Sequence, residues 1–352
     1  MSIPLTRERF DAPAGSRLEA IHWWAAIGGL LVLLQAWIYI AWIRSDKFVP
    51  TDPGPDPLPR ASEIGLPIFQ ALSVLTLVAA VAYFGRTLLR REPLAPIQVL
   101  MLGWLFTFWQ DPWLNMFRPT FTYNAHLLNF GSWSEFIPGW VSPHGSRIPE
   151  PILINFAAYV FQLPLSCLFG WWAMRKAKAR FPAWGGVRLF LAGLVAMVAL
   201  DMAQEILATR VVHYDAFPAA AGPKLWDGEF YQIPLYEFLF FPLVLAASSA
   251  LFFFRDDRGR MVVERGVDRL RVGDRTRDLL RVLAVTAFAN LMNAGYVFTM
   301  AFLSLHADPW PQMPSWMRDN VCGAGTVYEC PGPEVPIPTL TSRPVPPTSG
   351  RN

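Results

Sequence analysis

Seven apolar stretches, each about twenty residues long, dominate this chain: 20–43, 66–85, 96–117, 152–174, 187–208, 232–254 and 281–305. About 20 apolar residues of helix cross a bilayer core. Hydrocarbon offers the backbone no hydrogen-bond partners, so such a stretch must satisfy its own, and a helix does so. The pattern predicts an all-α fold, a polytopic membrane bundle of about seven transmembrane helices. The third stretch ends in the polar WQDPWLN and the fifth carries two acids. Both remain helices in this reading, because charges in a spanning helix usually face the bundle interior or a cavity. The resulting organisation is an N-terminal segment 1–19, a bundle over 20–305 and a tail 306–352. The tail is rich in Pro and Gly, which predicts extended or disordered chain.

Composition agrees. Hydrophobic residues make up 53% of the 352 and charged residues only 16%, against about 25% in soluble domains. A net charge of +3 gives no electrostatic footprint for nucleic acid. The basic residues are unevenly placed. Segment 1–19 and the connections 86–95, 175–186 and 255–280 hold eighteen, whereas 44–65, 118–151, 209–231 and the tail hold ten. Lys and Arg stay on the cytoplasmic side, so the N-terminus is expected in the cytoplasm and the tail outside a bacterial plasma membrane. The first 20 residues lack a cleavable signal pattern, so the first stretch is expected to be retained. Cys322 and Cys330 would then face an oxidising compartment, where they would form a disulfide. Cys167 lies in an apolar stretch and is expected to be inert packing.

The polar residues of the stretches gather toward one membrane face. On the predicted outer side lie Gln110, Asp111 and Asn115 of the third, Asn155 and Tyr159 of the fourth, and Asp201, Gln204 and Glu205 of the fifth. Tyr236 and Glu237 of the sixth and Asn293 and Tyr296 of the seventh join them. The other halves are nearly pure Leu, Val, Ala and Phe. Asp111 and Asn115 are four apart, as are Asp201 and Glu205, so each pair would share a face of an α-helix. Polar groups in hydrocarbon need partners, which predicts a common, partly wet cavity. Carboxyls with separated pKa values in such a cavity suit general acid–base chemistry. Any single Asn, Gln or Tyr near a helix end more often caps the helix or binds water. The four acids together argue for a functional cavity.

Several classes are disfavoured. The five histidines (His22, His126, His144, His213 and His306) have no metal-ligand spacing. There is no P-loop, no nucleophile elbow, no G-x-G-x-x-G and no DDxxD-type motif. The seventh stretch has no Lys for a retinal Schiff base. No metal and no cofactor is therefore expected.

The connection 118–151 and its entry are dense in Trp, Tyr, Asn, Pro and Gly. So apolar a loop should fold down as a lid on the cavity mouth or lie in the headgroup layer. The second placement suits Trp133 and Trp140 equally well. Tyr123, Asn124 and His126 are lid or substrate-contact candidates. The segments WQDPWLN (109–115), PTFTYNAHLLNFGSW (119–133) and IPGWVSPHG (137–145) resemble the avermectin-type spiroketal cyclases, the AveC-like membrane proteins. The resemblance spans roughly 20–305. It implies closure of a lipophilic dihydroxy-ketone polyketide into a spiroketal, and it carries over no catalytic residue.

On this reading the bundle is a cofactor-independent cyclase of a lipophilic small molecule, with Glu205 as acid, Asp111 as base, Asp201 tuning Glu205 and Glu237 in reserve. Gln110, Asn115, Tyr123, Asn124, His126, Asn155, Tyr159, Tyr236 and Asn293 are the expected substrate contacts. Two other readings stay open: a lipid-binding or transport protein without catalysis, and a membrane cyclase acting on a terpenoid. A transporter needs access from both sides, which the apolar cytoplasmic halves disfavour.

Overall fold

The computed structural model describes residues 19–323 and 325–339. Segment 1–18 and the tail beyond 339 lie outside the described residues.

Each of the seven stretches holds a helix. Five are long and apolar enough to cross a membrane: α1 (Ala20–Ile43), α2 (Arg60–Leu89), α4 (Ile152–Arg180), α5 (Gly186–Val212) and α7 (Asp274–His306). The other two are shorter, α3 (Pro96–Leu105) and α6 (Glu237–Phe253). α1 packs along α7, α3 packs on α7, and α4, α5 and α6 form a trio. α2 touches mainly the start of α4 and the end of α5. The outward faces of α1, α2 and α5 expose Leu30, Leu33, Leu75, Val78, Val81 and Val195. Small residues let the backbones close. A Cβ on Gly28 of α1 would meet the Leu283 carbonyl oxygen of α7 at 1.9 Å, and one on Gly103 would meet Val285 at 2.6 Å.

The stretch 96–117 is not one helix. α3 stops at Leu105 and a 3₁₀ segment runs over Phe108–Asn115. Pro112 cannot donate a backbone hydrogen bond, and its ring would clash with the carbonyl four residues back. α7 supplies the missing partners. Asn290 donates to the Phe106 carbonyl at 3.0 Å and accepts from Trp109 Nε1 at 2.8 Å. In α4, Ala158–Gln162 form a π-helical turn just before Pro164, and α5 ends in a second such segment at Ile206–Val212. α6 begins only at Glu237, because Ile233–Pro234 pair as a short strand with Lys224–Leu225.

The connections at one end form a cap. Thr122–Tyr123 (β1) pair antiparallel with Asp215–Ala216 (β2). Trp133 and Trp140 are buried, their indole N–H groups donating to the Trp109 and Ser142 carbonyls. Neither lies at an exposed headgroup position; the aromatic cluster around Trp42, Phe108 and Tyr39 holds Trp133 inside. The described part of the tail is mostly chain without helix or strand, and it packs on the cap. Trp316 and Met317 are buried against Ala216, and Arg118 donates to the Gly332 and Val335 carbonyls. Four apolar side chains in 310–317 outweigh the surrounding Pro and Gly. Cys322 and Cys330 are disulfide-bonded within it, and Cys167 is buried and free.

Candidate active site

A cavity of about 390 Å³ lies under the cap, between α2, α4, α5, α6 and α7. Its walls are mostly apolar, with Phe69, Leu72, Leu114, Phe121, Ile154, Phe161 and Phe241. Into it project Asp111, Glu205, Asp215 and Glu237, with Tyr123, Tyr159, Tyr214 and Tyr296 beside them.

Asp111 is the best-partnered acid. Tyr159 donates to Oδ1 at 2.7 Å and Tyr123 to Oδ2 at 2.5 Å. The Asn155 amide reaches Oδ2 at 3.4 Å, while Tyr214 donates to Asn155 Oδ1 at 2.5 Å. The π-helical turn of α4 presents Tyr159 here; such turns commonly accompany functional sites. Behind Asp111 lies Glu150 of the cap, fully buried and sharing the Asn155 amide with it, Nδ2 lying 3.4 Å from Glu150 Oε2. Burial holds Glu150 well above the ordinary carboxylate range, and the charge of Asp111 adds to this.

Across the cavity, Thr209 donates to Asp215 Oδ1 at 2.5 Å and is also hydrogen-bonded to Glu205. Asp215 is pushed up to about 7, chiefly by burial, with Thr209 and a backbone N–H pulling it down. Tyr296 donates to Glu237 Oε1 at 2.7 Å, leaving Oε2 buried with no partner among the described residues. Asp201 lies one turn below Glu205, buried, and does not reach the cavity wall; its Oδ2 also lacks a partner there.

Of the expected substrate contacts, Tyr123, Asn155 and Tyr159 line the cavity. The others do other work. Gln110 joins Asn290 and Asn293 in a network tying the 3₁₀ segment to α7. Asn115 accepts from the Thr120 and Phe121 backbone and shapes the loop. A 3₁₀ segment turns once every three residues, so Asp111 aligns with Leu114 and not with Asn115; the shared face expected of an α-helix does not exist. Asn124 bridges His213 O and the His126 N–H. His126 is exposed to the outside and Tyr236 contacts the Ala221 N–H, away from the cavity. Glu150, Tyr214 and Asp215 were absent from the expected set. They sit in connections, where acids and tyrosines are ordinarily solvated, and only the folding of the cap over the bundle buries them. No group of three or more His, Cys, Asp or Glu able to hold a metal occurs among the described residues.

A family model described as "Spirocyclase AveC-like" matches residues 89–316. That span contains Asp111, Glu150, Asp201, Glu205, Asp215 and Glu237. No curated protein and no solved structure matches the chain.

Proposed function

The chain belongs to the AveC-like spirocyclase family, and from that premise we propose that it is an integral membrane enzyme closing a lipophilic dihydroxy ketone into a spiroketal by acid–base catalysis without a cofactor. The observation that carries this reading is the cavity itself: carboxyls from four separate segments meet in one apolar chamber. A polyketide-like substrate offers two hydroxyls, one ketone and long hydrocarbon arms. The apolar walls suit the arms and the acids suit the rest.

The chemistry proceeds in two additions. One hydroxyl attacks the ketone carbon, giving its proton to a base while the carbonyl oxygen takes one from an acid. The hemiketal hydroxyl is then protonated and leaves as water. The second hydroxyl captures the oxocarbenium carbon and gives up its proton, so one water is lost overall. Asp111 acts as base: of the cavity acids it has the most hydrogen-bond donors aimed at it. Glu205 acts as acid. Its carboxyl opens on the same apolar cavity as Asp111. Asp201 beneath Glu205 tunes it, and Glu237 is the reserve acid. Holding the chain coiled, with one face of the cation open, supplies the entropic and stereochemical part.

Lateral entry from the bilayer fits such a substrate. Leu72, Phe161 and Leu207 line the cavity and are also exposed on the outside of the bundle. The basic-residue bias supports a cytoplasmic N-terminus and places the cap outside. The test is conversion of a synthetic long-chain dihydroxy ketone by the protein in vesicles, read by mass spectrometry and chiral chromatography. The expected product is lighter by one water and a single spiro stereoisomer. A racemic product formed at the protein-free rate would overturn the assignment.

A further inference from the structure

Glu150 forms no part of the cavity wall, yet it is 1% exposed and its carboxyl sits beside that of Asp111: Asn155 Nδ2 lies 3.4 Å from Glu150 Oε2 and 3.4 Å from Asp111 Oδ2. Two carboxyls buried side by side cannot both ionise without strong repulsion, so one of them carries a proton. The donors decide which one. Asp111 receives the Tyr123 and Tyr159 hydroxyls and one Asn155 N–H; Glu150 receives only the Asn155 amide, at 3.4 Å. The other titratable groups facing the pair are the Tyr39 and Tyr214 hydroxyls and, across the cavity, the Asp215 carboxyl, and no ion pair reaches either carboxyl among the described residues. The backbone fixes Glu150 in place, since its N–H donates to the Gly131 carbonyl at 3.2 Å and Pro149 and Pro151 flank it.

We propose that Glu150 is a positioning residue that stays protonated and donates its carboxyl O–H to Asp111, so that the pair holds one proton and Asp111 is kept ionised and aimed into the cavity. The catalytic consequence rests on the cyclase reading; the protonation states do not. Burial and the neighbouring negative charge both favour the neutral form of Glu150.

Infrared difference spectroscopy on the detergent-purified full chain tests the protonation directly. Wild type minus Glu150→Gln should show loss of the carbonyl stretch of a protonated carboxyl. Loss of a carboxylate stretch instead would overturn the proposal. Should Glu150→Gln fail to fold, Asp111→Asn serves in its place. There the difference should be a lost carboxylate band with the protonated band kept, and the opposite pattern would overturn it. In the cyclisation assay Glu150→Gln, whose amide still donates, should hold within about threefold of wild type, while Glu150→Ala should fall by about tenfold or more. The alkaline limb of the rate profile should lose the ionisation of Glu150 in the Gln variant. Equal activity of the Gln and Ala variants with unchanged profiles would contradict the role. Absence of cyclisation in wild type would sink the cyclase reading and leave the infrared result standing.

Discussion

Tyr159 and Tyr123 reach Asp111 from different segments, and each gives it a hydrogen bond that a phenylalanine would lose. Hydrogen bonds to a charged acceptor contribute about 1.5–3 kcal/mol each. Tyr159→Phe should therefore slow cyclisation by about tenfold or more. It should also move the acid limb of the rate profile to higher pH, because a carboxylate with fewer donors holds its proton more tightly. An unmoved acid limb in purified, folded variant would remove Tyr159 from the account. Asp215 has the opposite stability signature. Its pKa rises from 3.8 to about 7 on folding, so the folded state binds that proton better than the unfolded state does. The stabilisation is present below the unfolded value and is lost as pH rises toward the folded one. Asp215→Asn, which cannot ionise, should gain on wild type in unfolding temperature as pH climbs from about 4 to about 7. A pH-independent difference would contradict this. At this scale the place of Asp111, Glu205 and Glu237 on the cavity was legible, since ionisable residues in apolar stretches are few and rarely incidental, whereas Asp201 lies off its wall. Glu150 and Asp215 were not legible, because nothing local distinguishes a loop acid that the fold will bury from one that water will keep.

Among the elements, α1 and α7 are held together by a contact that tolerates no side chain at Gly28. Overpacking a close site costs about 1–3 kcal/mol and sometimes more. Gly28→Ala should lower the unfolding temperature well beyond Gly29→Ala, because a Cβ at Gly29 has nothing within 4 Å. Equal effects would mean that the two helices are free to separate. Each of the seven apolar stretches holds a helix, but length alone could not see where each begins and ends, nor the single turn at Ser315–Arg318. Pro112 and the Ile233–Pro234 strand shorten α3 and α6, and the polar network of Asn290, Gln110 and Asn293 repairs the break. The misplaced face of Asn115 follows from the same proline. Composition could not show that the tail packs on the cap, because it averages over Trp310, Met313, Trp316 and Met317, which together make a small core with Ala216.

For the whole molecule, five long helices with apolar outward faces fit a bilayer, and the cap then sits on one side of it. The orientation proposed above places Arg265 in the cytoplasm and Glu229 outside. Single cysteines at these positions should label from within and from outside intact cells respectively. Labelling of Arg265→Cys from outside would invert the topology. If the cavity acids transfer protons during ring closure, Asp111→Asn and Glu205→Gln should each abolish a transfer, since each keeps volume and hydrogen bonding and removes only the transferable proton. The measurement is the rate and stereochemistry of spiroketal formation by each purified, folded variant on one dihydroxy-ketone substrate. Each variant should lose about a hundred- to ten-thousand-fold in rate, with residual product drifting toward the spontaneous isomer mixture. Near-normal rates with intact stereocontrol in both variants would contradict it.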